Sequence, residues 1–201
     1  MKILSIFAHP DDEIIWGWPI MQDKSIERHL LIVSDNHTSR KDRALKALEE
    51  VCDSEGIRLL NCLCLESEFY RRPTRFTEHT LMHAVNFIKS NIPKGYDYYF
   101  THNPNGEYGH GDHILTFRIV AELCTNVIYG DAFNSNCHYS YKPRYIKEAT
   151  GRTYQLDKDF LNRTKAIYQK HQAWSWSFSV PETIILKELM NFENSKTINY
   201  F

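Results

Sequence analysis

The sequence predicts an α/β fold in which a mostly parallel central sheet is flanked by helices. Three observations predict it. Short runs rich in β-branched and aliphatic residues alternate with longer amphipathic stretches, the sequence form of repeated βα units. The chain has 201 residues, 42% of them hydrophobic and 24% charged, which suits a domain with a real core and not a disordered chain. No internal repeat, low-complexity tract or linker breaks the alternation, so residues 1–201 are expected to form one domain.

Each element follows in order. Lys2 to Ala8 contains the compact apolar run Ile3-Leu4-Ser5-Ile6-Phe7 and is expected to be the first strand, followed by a helix over Glu13 to Met21. A second strand, Leu30 to Ser34, leads to a helix over Arg40 to Ser54, where Ala44, Ala47, Leu48 and Val51 recur at helical spacing. Arg58 to Leu65 gives a third strand and Phe76 to Asn91 a helix; Tyr96 to Thr101 gives a fourth strand and Asp112 to Leu123 a helix. Asn126 to Tyr129 is a fifth strand. From Ala132 to Tyr154 the pattern fades into Asn, Ser, Tyr, Pro and Gly, as irregular structure or a short hairpin before the last helix, Lys158 to Trp174. Trp174 to Val180 then alternates large apolar with small polar residues, the period of a half-buried edge strand; a ring platform for a sugar is the other reading.

Charge and composition exclude several classes. Lys plus Arg number 24 against 25 Asp plus Glu, a net charge of -1, so there is no basic field to attract nucleic acid or anionic lipid. The longest apolar runs, such as Leu30-Leu31-Ile32-Val33, fall well short of the roughly 20 residues of a membrane span. The N-terminal strand passes directly into charged residues without a signal-peptide apolar region, and the expected location is cytoplasmic. The 5 cysteines lack C-x-x-C spacing and are expected to be reduced core thiols.

The chemistry concentrates in two segments. Ala8-His9-Pro10-Asp11-Asp12-Glu13 stands where the first strand should end, at the carboxyl edge where open α/β sheets bind ligands. Pro10 restricts His9 to an extended conformation, so neighbouring side chains point apart and Asp11 and Asp12 can do different work. The second segment, Thr101-His102-Asn103-Pro104 and then Gly106-Glu107-Tyr108-Gly109-His110-Gly111-Asp112-His113, stands at the end of the fourth strand. His110 and His113, three apart, can aim two imidazoles at one point. Together the loops hold the N and O ligands and the extra acid/base groups of a catalytic zinc site.

With A-H-P-D-D-E near the N-terminus and a later H-x-D-H, the sequence resembles the PIG-L/LmbE-like zinc-dependent N-deacetylases, which remove acetyl from N-acetylglucosamine-type substrates. The resemblance implies a Rossmann-like three-layer fold and one Zn²⁺ bound by His9, Asp12 and His113. It implies that Asp11 is the general base for attack by water, and that His110, oriented by Asp112, contacts the reacting carbonyl. An N-acetylated sugar or glycoconjugate is the implied partner, with Arg43 and His171 matching family positions as substrate contacts, while Asn105 and Tyr108, in the loop before His110, are read as contacts to a sugar hydroxyl from their place; a homo-oligomer is left open.

Two other readings stand beside this one. A metal hydrolase of a non-sugar amide would use the same groups, whereas a noncatalytic Rossmann-like nucleotide- or sugar-binding module would use none; against the module, no G-x-G-x-x-G or P-loop follows any strand. Arg71, Arg72 and Arg75 form a cationic cluster after the third strand, read as a solvated loop or an anion contact. His79 and His83 lack a neighbouring carboxylate motif and are expected to be ordinary helix residues.

Overall fold

A computed structural model describes residues 1–35, 37–66, 78–132, 151–177 and 179–189. β1 (Lys2–Phe7) is followed by two short helices, α1 (Asp12–Ile15) and α2 (Trp18–Met21), and then by β2 (Glu27–Asp35), α3 (His37–Glu55) and β3 (Arg58–Glu66). α4 (Glu78–Asn91) and β4 (Tyr98–Thr101) precede a one-turn segment, Gly106–Gly109, and α5 (Gly111–Leu123). β5 (Val127–Ala132), β6 (Arg152–Gln155), α6 (Lys158–Lys170) and β7 (Thr183–Glu188) complete the described elements.

The strands form one sheet in the order β3-β2-β1-β4-β5-β7-β6. β1 to β5 are parallel, while β7 pairs antiparallel with both β5 and β6. Strand register explains the layers. On β1, Ile3 and Phe7 enter one core with Leu30, Ile32 and Phe100, against Leu48 of α3 and Phe160 of α6. Leu4 and Ile6 point the other way, joining Leu31, Val33 and Tyr99 against Val85 and Ile88 of α4 and Ile119 and Val120 of α5. Burial on both faces is what makes these strands continuous apolar runs. Phe7 and Phe100 meet edge to face at 5.3 Å, an arrangement contributing about 0.5–1.5 kcal/mol beyond area burial.

The order of the sheet also fixes where a ligand can bind. The chain builds outward from β1 to β2 and β3, then returns to place β4 on the other side of β1. The reversal opens a crevice at the carboxyl ends of β1 and β4.

Three sequence expectations change. The helix expected over Glu13 to Met21 is broken at Gly17, where a Cβ would lie 2.6 Å from the Phe7 ring and 2.7 Å from the Glu13 carbonyl oxygen; Pro19 then opens a new turn. The last helix stops at Lys170, because Gln172 takes φ 53° and Ala173 N–H bonds back to the Tyr168 carbonyl at 2.8 Å. The edge strand expected over Trp174 to Val180 is absent among its described residues, and β6 occupies the edge instead. Side chains explain this: Ser175 is drawn to Asp11, Trp174 packs on Tyr168 and Trp176 packs on Trp16. β6 falls within the stretch where the sequence pattern fades, and β7 was not expected. Arg71, Arg72, Arg75 and Phe178 lie outside the described residues, as do the side chains of His79 and His83.

Candidate metal centre

After β1 the chain turns sharply, and Asp11 takes φ 95°, a left-handed conformation costing a non-glycine residue about 1–3 kcal/mol. Hydrogen bonds hold the turn. His9 N–H donates to Asp12 Oδ2 at 2.8 Å and Asp11 N–H to Glu13 Oε2 at 2.9 Å, while Tyr168 of α6 donates its hydroxyl to Glu13 Oε1 at 2.7 Å. Glu13 is thus a brace for the turn, and burial raises its pKa to about 8.

After β4 the second loop is braced by reciprocal bonds. Asn103 Oδ1 accepts the N–H groups of Asn105 and Glu107 at 2.9 and 3.0 Å, and Glu107 Oε1 accepts the Asn103 N–H at 2.9 Å. These bonds hold Glu107 at φ 56°. Gly106 also has positive φ, and a Cβ there would lie 2.8 Å from Ile114 Cγ1, so only glycine lets the loop lie against the first turn of α5.

The two loops bring four imidazoles and several carboxylates together. Asp12 Oδ2 lies 3.3 Å from His9 Nδ1, 3.4 Å from His102 Nε2 and 3.4 Å from His113 Nε2. The His113 ring is stacked between those of His102 and His110, with centroids at 3.8 and 4.4 Å. Two groups place donor atoms close enough to hold a cation: His9 with His110 and His113, and Asp12 with His102 and His113.

Hydrogen bonds separate these imidazoles, because a metal ligand must offer a lone pair. His9 Nε2 donates to Asp112 Oδ2 at 2.8 Å, which directs Nδ1 toward Asp12. His113 Nδ1 donates to Glu107 Oε2 at 2.6 Å, and its buried Nε2 has no hydrogen-bond partner among the described residues. His102 is engaged at both nitrogens: Nε2 accepts the Ala8 N–H at 2.9 Å and Nδ1 donates to Glu107 Oε2 at 3.0 Å. His110 Nδ1 accepts the Asp112 N–H at 3.3 Å. An unsatisfied buried nitrogen costs about 1–3 kcal/mol, which a cation at His113 Nε2 would relieve. His9 and His113, each backed by a carboxylate on its far nitrogen, have the chemistry of metal ligands, as does Asp12 between them, although neither of the two close-set groups holds all three.

Electrostatics set the carboxylates apart. Burial and the neighbouring Asp12 charge raise Asp11 to about 7, against a hydrogen bond from the Ser175 hydroxyl. Burial would raise Asp12 too, yet His113, His102 and His9 hold it well below the usual carboxylate range. Glu107, against the pull of burial, is held down to about 2 by His102 and His113. His9 is raised to about 10, because its bonds to Asp112 and Asp12 outweigh the cost of burial. His110 is lowered to about 4 by burial and by the charges of His113 and His9.

The structure therefore brings together His9, Asp11, Asp12, His110, Asp112 and His113. Asp112 contacts His110 through its backbone N–H, while its carboxylate goes to His9. The Tyr108 ring lies 5.6 Å from both His110 and His113, whereas Asn105 serves the loop itself, its N–H donating to Asn103 Oδ1 and its carbonyl accepting the Gly109 N–H. Arg43 donates to Gln172 Oε1 at 3.2 Å and His171 pairs with Glu50 Oε2 at 2.7 Å, both at the junction of α3 and α6. Sequence reasoning missed His102, Glu107 and Ser175. His102 and Glu107 stand inside the second segment, but neither has a spacing that marks it.

No protein-family model matches the chain, and no curated protein matches it by sequence. Solved structures do match in shape. A deacetylase of teicoplanin biosynthesis superposes with a TM-score of 0.59 at 12% identity, covering 94% of this chain and 99% of that one. The chain shares that fold. 4-Carboxy-2-hydroxymuconate hydratase GalB from Pseudomonas putida gives 0.57 at 10% identity over 94% and 96% of the two chains. N,N'-Diacetylchitobiose deacetylase from Pyrococcus horikoshii gives 0.52 at 15% identity over 88% of this chain and 71% of that chain.

Proposed function

We propose that this protein is a zinc-dependent N-deacetylase acting on an N-acetylated sugar or glycoconjugate, and that His9, Asp12 and His113 hold the metal. One observation carries the reading: two imidazoles, each with its far nitrogen on a buried carboxylate, flank Asp12 Oδ2, and His113 Nε2 is left without a hydrogen bond. Two nitrogens and one carboxylate oxygen are a catalytic zinc donor set. Bound there, zinc would supply a water whose pKa falls from 15.7 to about 7, and would polarise an acyl oxygen.

The chain's own residues account for the proton movements. Asp11, poised at about 7, is matched to take a proton from water at neutral pH. With Oδ2 engaged by Ser175, Oδ1 accepts that proton and returns it to the leaving nitrogen as acetate departs. His110, lowered to about 4, is neutral at pH 7. Its Nδ1 accepts the Asp112 N–H, so its proton sits on Nε2 and donates to the carbonyl oxygen as negative charge develops. That geometry favours an oxyanion role over acid catalysis for His110.

The sugar assignment is supported by rings beside these groups. Trp16, Tyr108 and Trp176 come from three separate segments and meet with centroids 5.3–6.3 Å apart, next to His110 and to the Ser175 that bonds Asp11. The part-exposed rings of Tyr108 and Trp176, backed by the buried Trp16, suit the apolar side of a pyranose ring. Two structures of this fold are a diacetylchitobiose deacetylase and a teicoplanin-pathway deacetylase. Acetate release from a panel of N-acetyl sugars tests the reading, with turnover expected and abolished by chelator. No acetate from any of them, with zinc bound to the protein, would overturn it.

A further inference from the structure

We propose that Glu107 is the positioning residue that keeps the His113 proton on Nδ1 and thereby leaves Nε2 as the donor to the metal. The inference rests on the metal reading above and deepens it. Glu107 is buried, with 3% of its side chain exposed, and it meets three N–H groups. Oε2 accepts from His113 Nδ1 at 2.6 Å and from His102 Nδ1 at 3.0 Å, while Oε1 accepts the Asn103 N–H at 2.9 Å. Each neighbour donates, so the residue must accept at both oxygens.

His102 makes the assignment strict. Its Nε2 already accepts the Ala8 N–H at 2.9 Å, so its proton must lie on Nδ1, where only an acceptor fits. The shared oxygen therefore ties the two stacked imidazoles to the same tautomer. Through it the end of β1, by way of Ala8 and His102, is coupled to His113 at the start of α5. The loop around Glu107 serves this contact: the Asn103 bracket and φ 56° bring a short stretch of backbone close enough for one carboxylate to reach two rings.

Glutamine in place of Glu107 has nearly the same shape and cannot do the same work. If its oxygen faces the histidines, its NH₂ opposes the Asn103 N–H. If its NH₂ faces the histidines, both rings must move their protons to Nε2, which removes the lone pair of His113 and sets an N–H against Ala8 N–H. Either arrangement loses a bond, and the second also blocks the metal.

The test compares wild type with Glu107→Gln by two readouts. Zinc affinity, measured by competition with a chromophoric chelator, should fall about 10- to 100-fold, the usual effect of losing a carboxylate behind a ligating imidazole. Imidazole ¹⁵N NMR of the metal-free proteins reads the tautomer directly. Wild type should show His113 and His102 protonated at Nδ1, and Glu107→Gln should lose that pattern at His113 in the arrangement that turns its NH₂ to the rings. Wild-type His113 carrying its proton only on Nε2 would overturn the proposal without any variant, even should Glu107→Gln fold poorly. Unchanged zinc affinity in folded Glu107→Gln would overturn it equally. Wild type that binds no zinc but keeps both Nδ1 protons would instead fail the metal reading alone and leave the tautomer assignment standing.

Discussion

Two ionic clusters stand at opposite ends of the parallel strands, and only one of them closes on itself. At the amino ends, Arg28 donates to the Met21 carbonyl at 2.5 Å and to the Glu55 carbonyl at 2.7 Å. The Glu55 carboxylate accepts from Arg163 at 3.0 and 3.3 Å and lies 3.7 Å from Lys24. Arg28 Nε aside, every charge there has an opposite charge or a carbonyl supplied by the chain. At the carboxyl ends, Asp11 and Asp12 are buried side by side, no Lys or Arg is bonded to either carboxylate among the described bonds, and His113 Nε2 has no hydrogen-bond partner there. There imidazoles, and no guanidinium or ammonium group among the described bonds, face Asp12. The comparison teaches that the second cluster leaves its carboxylates to imidazoles and so has donor groups that could hold a cation.

The strongest way to break the comparison is Asp11→Asn. Turnover should fall by about 10²- to 10⁴-fold while zinc content stays at the wild-type level, because Asp11 is read as base and not ligand. Steady-state rates with metal analysis of the dialysed protein check it; near-normal turnover would remove Asp11 from the chemistry. His110→Ala sharpens the contrast with His113→Ala. The first should keep zinc and lose about 10²- to 10³-fold in kcat, and the second should lose zinc on dialysis. Equal zinc loss in both variants would mean that His110 ligates.

A smaller effect follows from His9. In the metal-free protein its pKa is raised from 6.5 to about 10, so at pH 7 it carries a proton on each nitrogen. A cation at Nδ1 must expel one, and affinity should therefore rise with pH, by up to tenfold per unit while the pH is below about 10. Binding heats measured at pH 7 in buffers of different ionisation enthalpy should report about one proton released per ion. Zero release would show that His9 is not a ligand.

Much of this was legible in the sequence, for physical reasons that differ by element. The five parallel strands are buried on both faces, so their apolar runs stand out, and the two motifs fall where the sheet order opens its crevice. Trp174 to Val180 misled because alternation records which side chains are large, not what they reach. Ser175 and Trp176 are held by Asp11, Trp16 and Tyr108, contacts more than sixty residues away in sequence. His102 and Glu107 were illegible for a related reason. A single histidine at a strand end carries no periodicity, and a glutamate inside a glycine-rich loop looks solvated until backbone bonds turn it inward. The break at Gly17 likewise depends on the Phe7 ring across the core.

Anomalous diffraction from zinc-loaded crystals tests the central claim most directly. The account predicts one ion per chain at about 2.0–2.2 Å from His9 Nδ1, Asp12 Oδ2 and His113 Nε2, with Ala8 N–H still bonded to His102 Nε2. An ion bound through His102 or His110 in place of His9, or no ion in this cluster at saturating zinc, would contradict it.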